Sequence, residues 1–214
     1  MISLEDQNSL FKLISNYLKK DIVCWAFGGT AMMFYGYKDS TKDIDLVFDS
    51  AEDRNVFIEA IEELGYTKRA LFDVYNGEKS RHKNAPVMYS RGDERFDLFL
   101  KNIFQTVLSL GMKKRFFARH DFTEKKSLVI YAVSKEDIIL LKAVTEREKD
   151  FEDILKICAT DKNISWGVIT DEAVSQYEKG NEFVLLDLEQ AMVRLKKYIF
   201  IKQEYFSKLY RRQK

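Results

Sequence analysis

The spacing of apolar positions changes several times along the chain, and each change marks an element. Leu4, Phe11, Leu13, Ile14 and Leu18 recur at near-helical intervals and predict an amphipathic helix over 3–19. The run DIVCWAFGG is rich in β-formers and ends in two glycines, which predicts a strand and a tight turn. TAMMFYG then reads as a short helix closed by Gly36. KDIDLVF alternates with period two, so Asp43, Asp45 and Val47 face one side and Ile44, Leu46 and Phe48 the other. Ser50 with Asp53 forms a capping-box pattern for a helix running to about Leu64, which Gly65 ends.

The middle of the chain has strand character. YTKRALF, APVMYS and RFDLFL predict strands separated by polar turns such as NGEKSRHKN. KKRFFAR and KSLVIYAV predict two more. Ser134 with Asp137 caps the next helix, SKEDIILLKAV. REKDFEDILKICA either pairs with that helix or continues it as one broken helix. Further helices are expected over 171–179 and 184–211. The character shifts near Ser134. This predicts an α/β core over 1–133, with a mixed β-sheet, and a helical C-terminal region over 134–214 that closes a cleft.

Composition narrows the class. The chain has 214 residues, of which 46% are hydrophobic and 32% charged, a soluble globular balance that excludes a disordered chain. Lys and Arg number 35 against 34 Asp and Glu, so a strongly basic nucleic-acid coat is excluded, although a local basic patch is not. Two cysteines, Cys24 and Cys158, lack metal or disulfide spacing and suit a reducing compartment, here the cytoplasm. His82 and His120 are in no metal-ligand spacing. The N-terminal residues do not read as a signal peptide, and no apolar run is long enough to span a bilayer.

The candidate chemistry lies on two strands. Acids at positions i and i+2 of a strand present both carboxylates to one face, ~7 Å apart. Asp97 in Arg95-Phe96-Asp97-Leu98-Phe99 follows the same alternation, and if the two strands are neighbours three carboxylates converge. Such a trio repels itself unless cations neutralise it, and its hard oxygens suit Mg²⁺ or Mn²⁺. Two such ions clamp the attacking and leaving oxygens of a displacement at phosphorus. The other reading of D-x-D is an edge strand showing its solvent face. Gly28-Gly29-Thr30, between a strand and a helix, fits either a plain strand–turn–helix junction or a turn that lets a ligand approach the backbone and offers free N–H groups to phosphate.

Taken in order, G-G-T-A at 28–31, Tyr35-Gly36-Tyr37-Lys38, and Ser40-Thr41-Lys42-Asp43-Ile44-Asp45-Leu46 resemble the DNA polymerase β-like nucleotidyltransferase superfamily. The likeness is strongest to its AbiEii-type (type IV toxin–antitoxin) branch and related bacterial and archaeal proteins. Lys38 stands where that branch often has arginine, exchanging a bidentate phosphate contact for a point charge. Arg95–Phe99 resembles the third-carboxylate strand. Ser134–Lys142 resembles a downstream helix presenting a lysine to the nucleotide. Arg147–Ile154 resembles the R-x-K-D-x-x-D-I/L element.

The resemblance implies a metal-dependent enzyme that moves an NMP from an NTP to a hydroxyl acceptor and releases pyrophosphate. Asp43, Asp45 and Asp97 would be the catalytic and metal-holding residues, for two Mg²⁺ or Mn²⁺ ions. Gly28, Gly29, Thr30, Lys38, Thr41, Lys142 and Lys149 would bind nucleotide, with Arg147 and Asp150 in support. It implies tRNA, a protein or a small molecule as acceptor, and an antitoxin as a partner. The alternative is a non-catalytic nucleotide-binding or toxin–antitoxin interaction module that keeps the fold.

Two charged stretches stay open between function and surface. The segment 142–153 fits either triphosphate contacts or a solvated helix laced with pairs such as Lys149–Asp153. From Arg194 to Lys214, aromatic and basic residues interleave, which fits either an RNA-tracking helix or a terminal helix packing its aromatic stripe on the core. Lys113, Lys114, Arg115 and Arg119 form a second basic cluster with the same ambiguity.

Overall fold

The computed structural model describes residues 1–70, 84–145 and 147–211. It divides into two compact units, Met1–Val133 and Ser134–Lys214. The architecture is mixed α/β.

The first unit opens with β1 (Ile2–Ser3) and α1 (Leu4–Tyr17). Then come β2 (Ile22–Ala26), α2 (Gly28–Phe34), β3 (Ser40–Thr41), β4 (Asp43–Phe48) and α3 (Ala51–Glu63). After β5 (Thr67–Arg69) follow β6 (Val87–Arg91), β7 (Glu94–Leu100), β8 (Asn102–Ile103) and β9 (Thr106–Val107). The unit ends with α4 (Leu110–Lys114), β10 (Ala118–Thr123) and β11 (Ser127–Ala132).

Among the described residues the main sheet has the order β10-β11-β2-β4-β7-β6-β5, with β8 and β9 attached beside β7. It is mixed: β4 pairs parallel with β7 and antiparallel with β2. The aspartate-bearing strand β4 is therefore interior, not an edge. Its apolar face supplies Ile44, Leu46 and Phe48, which join Phe96, Leu98, Leu128 and Ile130 in one core. Leu10, Phe11 and Ile14 of α1 and Phe57, Ala60 and Ile61 of α3 pack into the same core. The helix starts follow their caps. Ser50 Oγ accepts from Asp53 N–H at 3.0 Å, and Ser3 forms a reciprocal box with Asp6.

Two expectations need correction here. Lys113 and Lys114 end α4, a helix capped by Ser109, so KKRFFAR is not one strand and β10 begins only at Ala118. The Met112 side chain of that helix is fully buried, and this packing overrides strand propensity. Among the described residues of YTKRALF, 67–69 are strand; its last two residues and most of the NGEKSRHKN turn lie outside the described residues.

The second unit is helical: α5 (Lys135–Ala143), α6 (Glu148–Thr160), α7 (Trp166–Glu178), α8 (Val184–Leu195) and α9 (Gln203–Tyr210). Helix α5 is buried from Asp137 through Ala143 and packs against α6, α7 and α8, as a helix apolar on most sides must. The helix expected over 171–179 starts earlier, at Trp166, because Ser165 Oγ caps it through Val168 N–H. The single helix expected over 184–211 is two, α8 and α9, with 196–202 between them. Phe206 and Leu209 of α9 turn into the core, while Lys196 lies over the Phe206 ring. Among the described residues, the terminal aromatic-basic stretch thus packs part of its stripe inward while most of its charged side chains stay at the surface.

Candidate active site

Strands β4 and β7 run side by side in register, with Asp43 opposite Arg95 and Asp45 opposite Asp97. Alternate strand positions share a face, so these four side chains stand on one face at the middle of the sheet. Further along that face Val47 and Phe99 are buried, and the Phe27 ring meets Phe99 edge-on at 5.4 Å. The polar group therefore stands beside an apolar floor, where charge interactions are less screened than in water.

Arg95 bridges Asp43 and Asp97. Its Nη2 forms an ion pair with Asp43 Oδ2 at 2.5 Å and donates to Asp97 Oδ2 at 3.2 Å, and its Nε donates to Asp97 Oδ1 at 2.9 Å. Asp97 is only 1% exposed. A carboxylate so buried needs a cation or strong donors, and the bidentate guanidinium fork supplies both. Among the described residues no three carboxylate, imidazole or thiolate side chains are gathered as a metal ligand set. The three aspartates share the face, and a guanidinium bridges two of them. Arg95 is the member that sequence reasoning left without a role. Its signal was present: it lies two residues before Asp97 in an alternating strand, hence on the same face.

The glycine turn abuts this group. Gly28 has φ +55°, a left-handed conformation, and a Cβ there would lie 2.5 Å from Asp45 Oδ2. A Cβ on Gly29 would lie 2.5 Å from Thr41 Oγ1. Asp45 and Thr41 thus press directly on the turn, and only glycine leaves them room. Thr30 is fully buried, and its Oγ1 accepts the Asp45 N–H at 2.8 Å. That bond, with Phe27 N–H donating to Asp45 O at 3.3 Å, fastens the start of α2 to β4. Thr30 serves as an anchor of the turn. Thr41 is held by β3, which pairs with β1 through Ile2 opposite Thr41. Lys38 is half-buried between α2 and β3.

The remaining candidates belong to the helical unit. Lys142 is buried, and its Nζ donates to Asp150 Oδ1 at 2.8 Å and Asp153 Oδ2 at 2.6 Å. Thr145 Oγ1 and Arg147 Nε donate to Asp150 Oδ2 at 2.6 and 2.5 Å. Lys149 is exposed. Burial alone would raise the Asp150 pKa, but Lys142, Thr145 and Arg147 outweigh it and hold the carboxyl down at about 2. Burial likewise opposes the Lys142 charge, and its two aspartates keep its pKa raised.

The depressed Asp150 pKa has a stability consequence. Stabilisation is complete above the unfolded-state value of about 4 and is lost as pH falls toward the folded value. The urea midpoint of the helical unit, followed by Trp166 fluorescence in a Trp25→Phe background, should drop between about pH 4 and 2 by the equivalent of ~2 kcal/mol. The drop should be much smaller in Asp150→Asn.

No protein-family model matches the sequence, and no curated protein matches it. Among the solved structures similar to the chain are two of ANT(2″)-Ia. The crystal structure of ANT(2″)-Ia in complex with adenylyl-2″-tobramycin aligns at 16% identity and a TM-score of 0.44, covering 88% of this chain and 98% of that one. The solution structure of the antibiotic-resistance factor ANT(2″)-Ia aligns at 15% identity and a TM-score of 0.42, covering 89% and 91%. At such identities the chemistry of this chain rests on its own residues.

Proposed function

We propose that the chain is a metal-dependent nucleotidyltransferase of the polymerase β-like type, moving an NMP from an NTP to a hydroxyl acceptor. The carrying observation is the register of β4 on β7, which sets Asp45 opposite Asp97, with Asp43 on the same face and a glycine turn touching Asp45. The acceptor oxygen bonds to the α-phosphorus, and the α–β bridging P–O bond breaks. The electron pair leaves with pyrophosphate. Asp97, or a water beside it, takes the acceptor proton.

Three hard carboxylates on one face support Mg²⁺ or Mn²⁺ as the ions, although among the described residues Arg95 pairs with two of them and no three are gathered as a ligand set. Asp43 and Asp45 would hold two ions and Asp97 would complete one of them. Bound there, the ions would neutralise the charge that develops on the α-phosphate and the leaving pyrophosphate. The chain's own share is positioning. Gly28 and Gly29 bring backbone N–H groups against the β and γ phosphates, and Thr30 and Thr41 keep that turn in place. Lys38 adds a point charge to the triphosphate. Within the helical unit, Lys142 is held by Asp150 and Asp153, with Arg147 behind Asp150.

Residues 1–133 form the nucleotidyltransferase core in this reading, and 134–214 the helical region. The order of the motifs supports the AbiEii-type branch, with RNA or a protein as acceptor and an antitoxin partner. The two free, buried cysteines support a reducing, cytoplasmic setting.

The test is incubation with each NTP labelled at the α-phosphate, Mg²⁺, and tRNA, protein or small polyhydroxylated acceptors. Label should move to one acceptor class with release of pyrophosphate. A second reading, the non-catalytic nucleotide-binding or interaction module, is favoured by one observation: Arg95 already neutralises Asp43 and Asp97. It predicts no transfer from any NTP to any acceptor.

A further inference from the structure

We propose that the aspartate face of the sheet continues into a docking surface for single-stranded RNA, made of two aromatic stacks that end at Phe116 and Phe117. This rests on the reading of that face as the transfer site and names what approaches it. Register places the surface. Val47 of β4 stands opposite Trp25 of β2, Trp25 opposite Tyr131 of β11, and Tyr131 opposite Arg119 of β10. Directly paired residues share a face, so Trp25, Tyr131 and Arg119 carry the aspartate face out to the β10 edge. Two strand spacings and a two-residue step separate Tyr131 from Asp45, about 12 Å.

Both stacks begin in packed protein and end in solvent. The Trp25 and Tyr131 rings stack at 5.7 Å, and Phe116 tilts onto Tyr131 at 4.6 Å. Tyr37 and Tyr35 stack at 4.8 Å, and Phe117 lies on Tyr35 at 3.7 Å. Trp25 and Tyr37 are buried, whereas Phe116 is 40% and Phe117 50% exposed. These two phenyl rings belong to a segment that holds Lys113, Lys114, Arg115 and Arg119 with no acid between them, in a chain that is nearly neutral as a whole. Lys114 and Arg119 are exposed. Lys113 lies over the Trp25 ring and pairs with Asp49.

The occupant follows from this pairing of rings with cations. An apolar protein partner would use the rings but not the charges around them. A single-stranded nucleic acid uses both, laying unstacked bases on π-faces and its phosphates against lysine and arginine. RNA offers such unpaired ends, and they terminate in hydroxyls, the acceptor group of the proposed reaction. Bases on Phe116 and Phe117 would leave an end a few nucleotides further on within reach of the carboxylates.

The probe is a fluorescein-labelled oligo(U) of about twelve nucleotides, followed by anisotropy on the full chain at several salt concentrations without NTP. Phe116→Leu with Phe117→Leu keeps the apolar bulk, removes both π-faces and should weaken binding about tenfold or more. Phe117→Leu alone replaces that variant should the pair not fold by circular dichroism. Lys114→Gln should lower the salt slope by about 0.7, the loss of one phosphate contact. An RNA duplex of equal length should bind the wild type more weakly, because its bases are not free to stack. Asp45→Asn and, in the second unit, Lys197→Gln should bind oligo(U) as the wild type does.

Unchanged affinity in the leucine variant, or duplex binding as tight as that of oligo(U), overturns the docking surface. A larger loss in Lys197→Gln than in Lys114→Gln overturns it too, as does a wild type that does not bind oligo(U). Transfer of label to a protein or small molecule in any of these cases leaves the proposed function standing. Ring-dependent oligo(U) binding without NMP transfer to any acceptor overturns that function and leaves the surface.

Discussion

Asp45→Asn should abolish NMP transfer, reducing the labelled product by about 10³-fold or more while the circular dichroism spectrum stays that of the wild type. The change is nearly isosteric, so the close fit against Gly28 is kept, and the backbone bonds from Asp45 N–H to Thr30 Oγ1 and from Phe27 N–H to Asp45 O do not involve the carboxylate. What is lost is one negative charge facing Asp97 across the β4–β7 ladder. An amide oxygen is a poorer ligand for a hard cation than a carboxylate. Asp97→Asn should be similarly inactive and should also lose stability, because Arg95 would then face a neutral amide inside a buried site. Undiminished transfer by Asp45→Asn would place the chemistry elsewhere in the chain.

The largest stability effect is expected at Lys142. Lys142→Met should destabilise the helical unit by about 3–5 kcal/mol, the usual cost of removing one partner from a buried ion pair. Lys142 fits among apolar side chains of α5, and methionine matches its length, so packing is not the issue. The loss arises because Asp150 and Asp153, both buried, each lose the Nζ donor at 2.8 and 2.6 Å. Asp150 keeps Thr145 and Arg147. Adding Asp150→Asn and Asp153→Asn to Lys142→Met should recover much of the deficit, since a neutral cluster carries no stranded charge. Urea unfolding monitored through Trp166 measures both steps. A single variant as stable as the wild type would mean that the network contributes little to the fold.

Local rules were enough for much of the first unit. The alternation in 43–48 and 95–99 determined which side chains share a face, because strand geometry leaves no other choice. Ser50 and Ser134 marked true helix starts, because a cap is decided by three or four consecutive residues. Where long-range packing competed with propensity, sequence patterns misled. Met112 draws 110–114 into a short helix, and the terminal aromatic stripe breaks into two helices so that Phe206 and Leu209 can reach the core.

What the sequence by itself determined was an inventory with directions: three acids placed on strands, two glycines at a turn, and a lysine and two aspartates on helices. Only the tertiary structure decided that β4 lies inside the sheet beside β7 in the register that sets Asp45 against Asp97. Strand order and register depend on hydrogen bonds between segments some fifty residues apart, which no local pattern encodes. The same holds for Arg95. Its place on the strand is local, but its hold on Asp43 exists only because a second strand brings that carboxylate alongside.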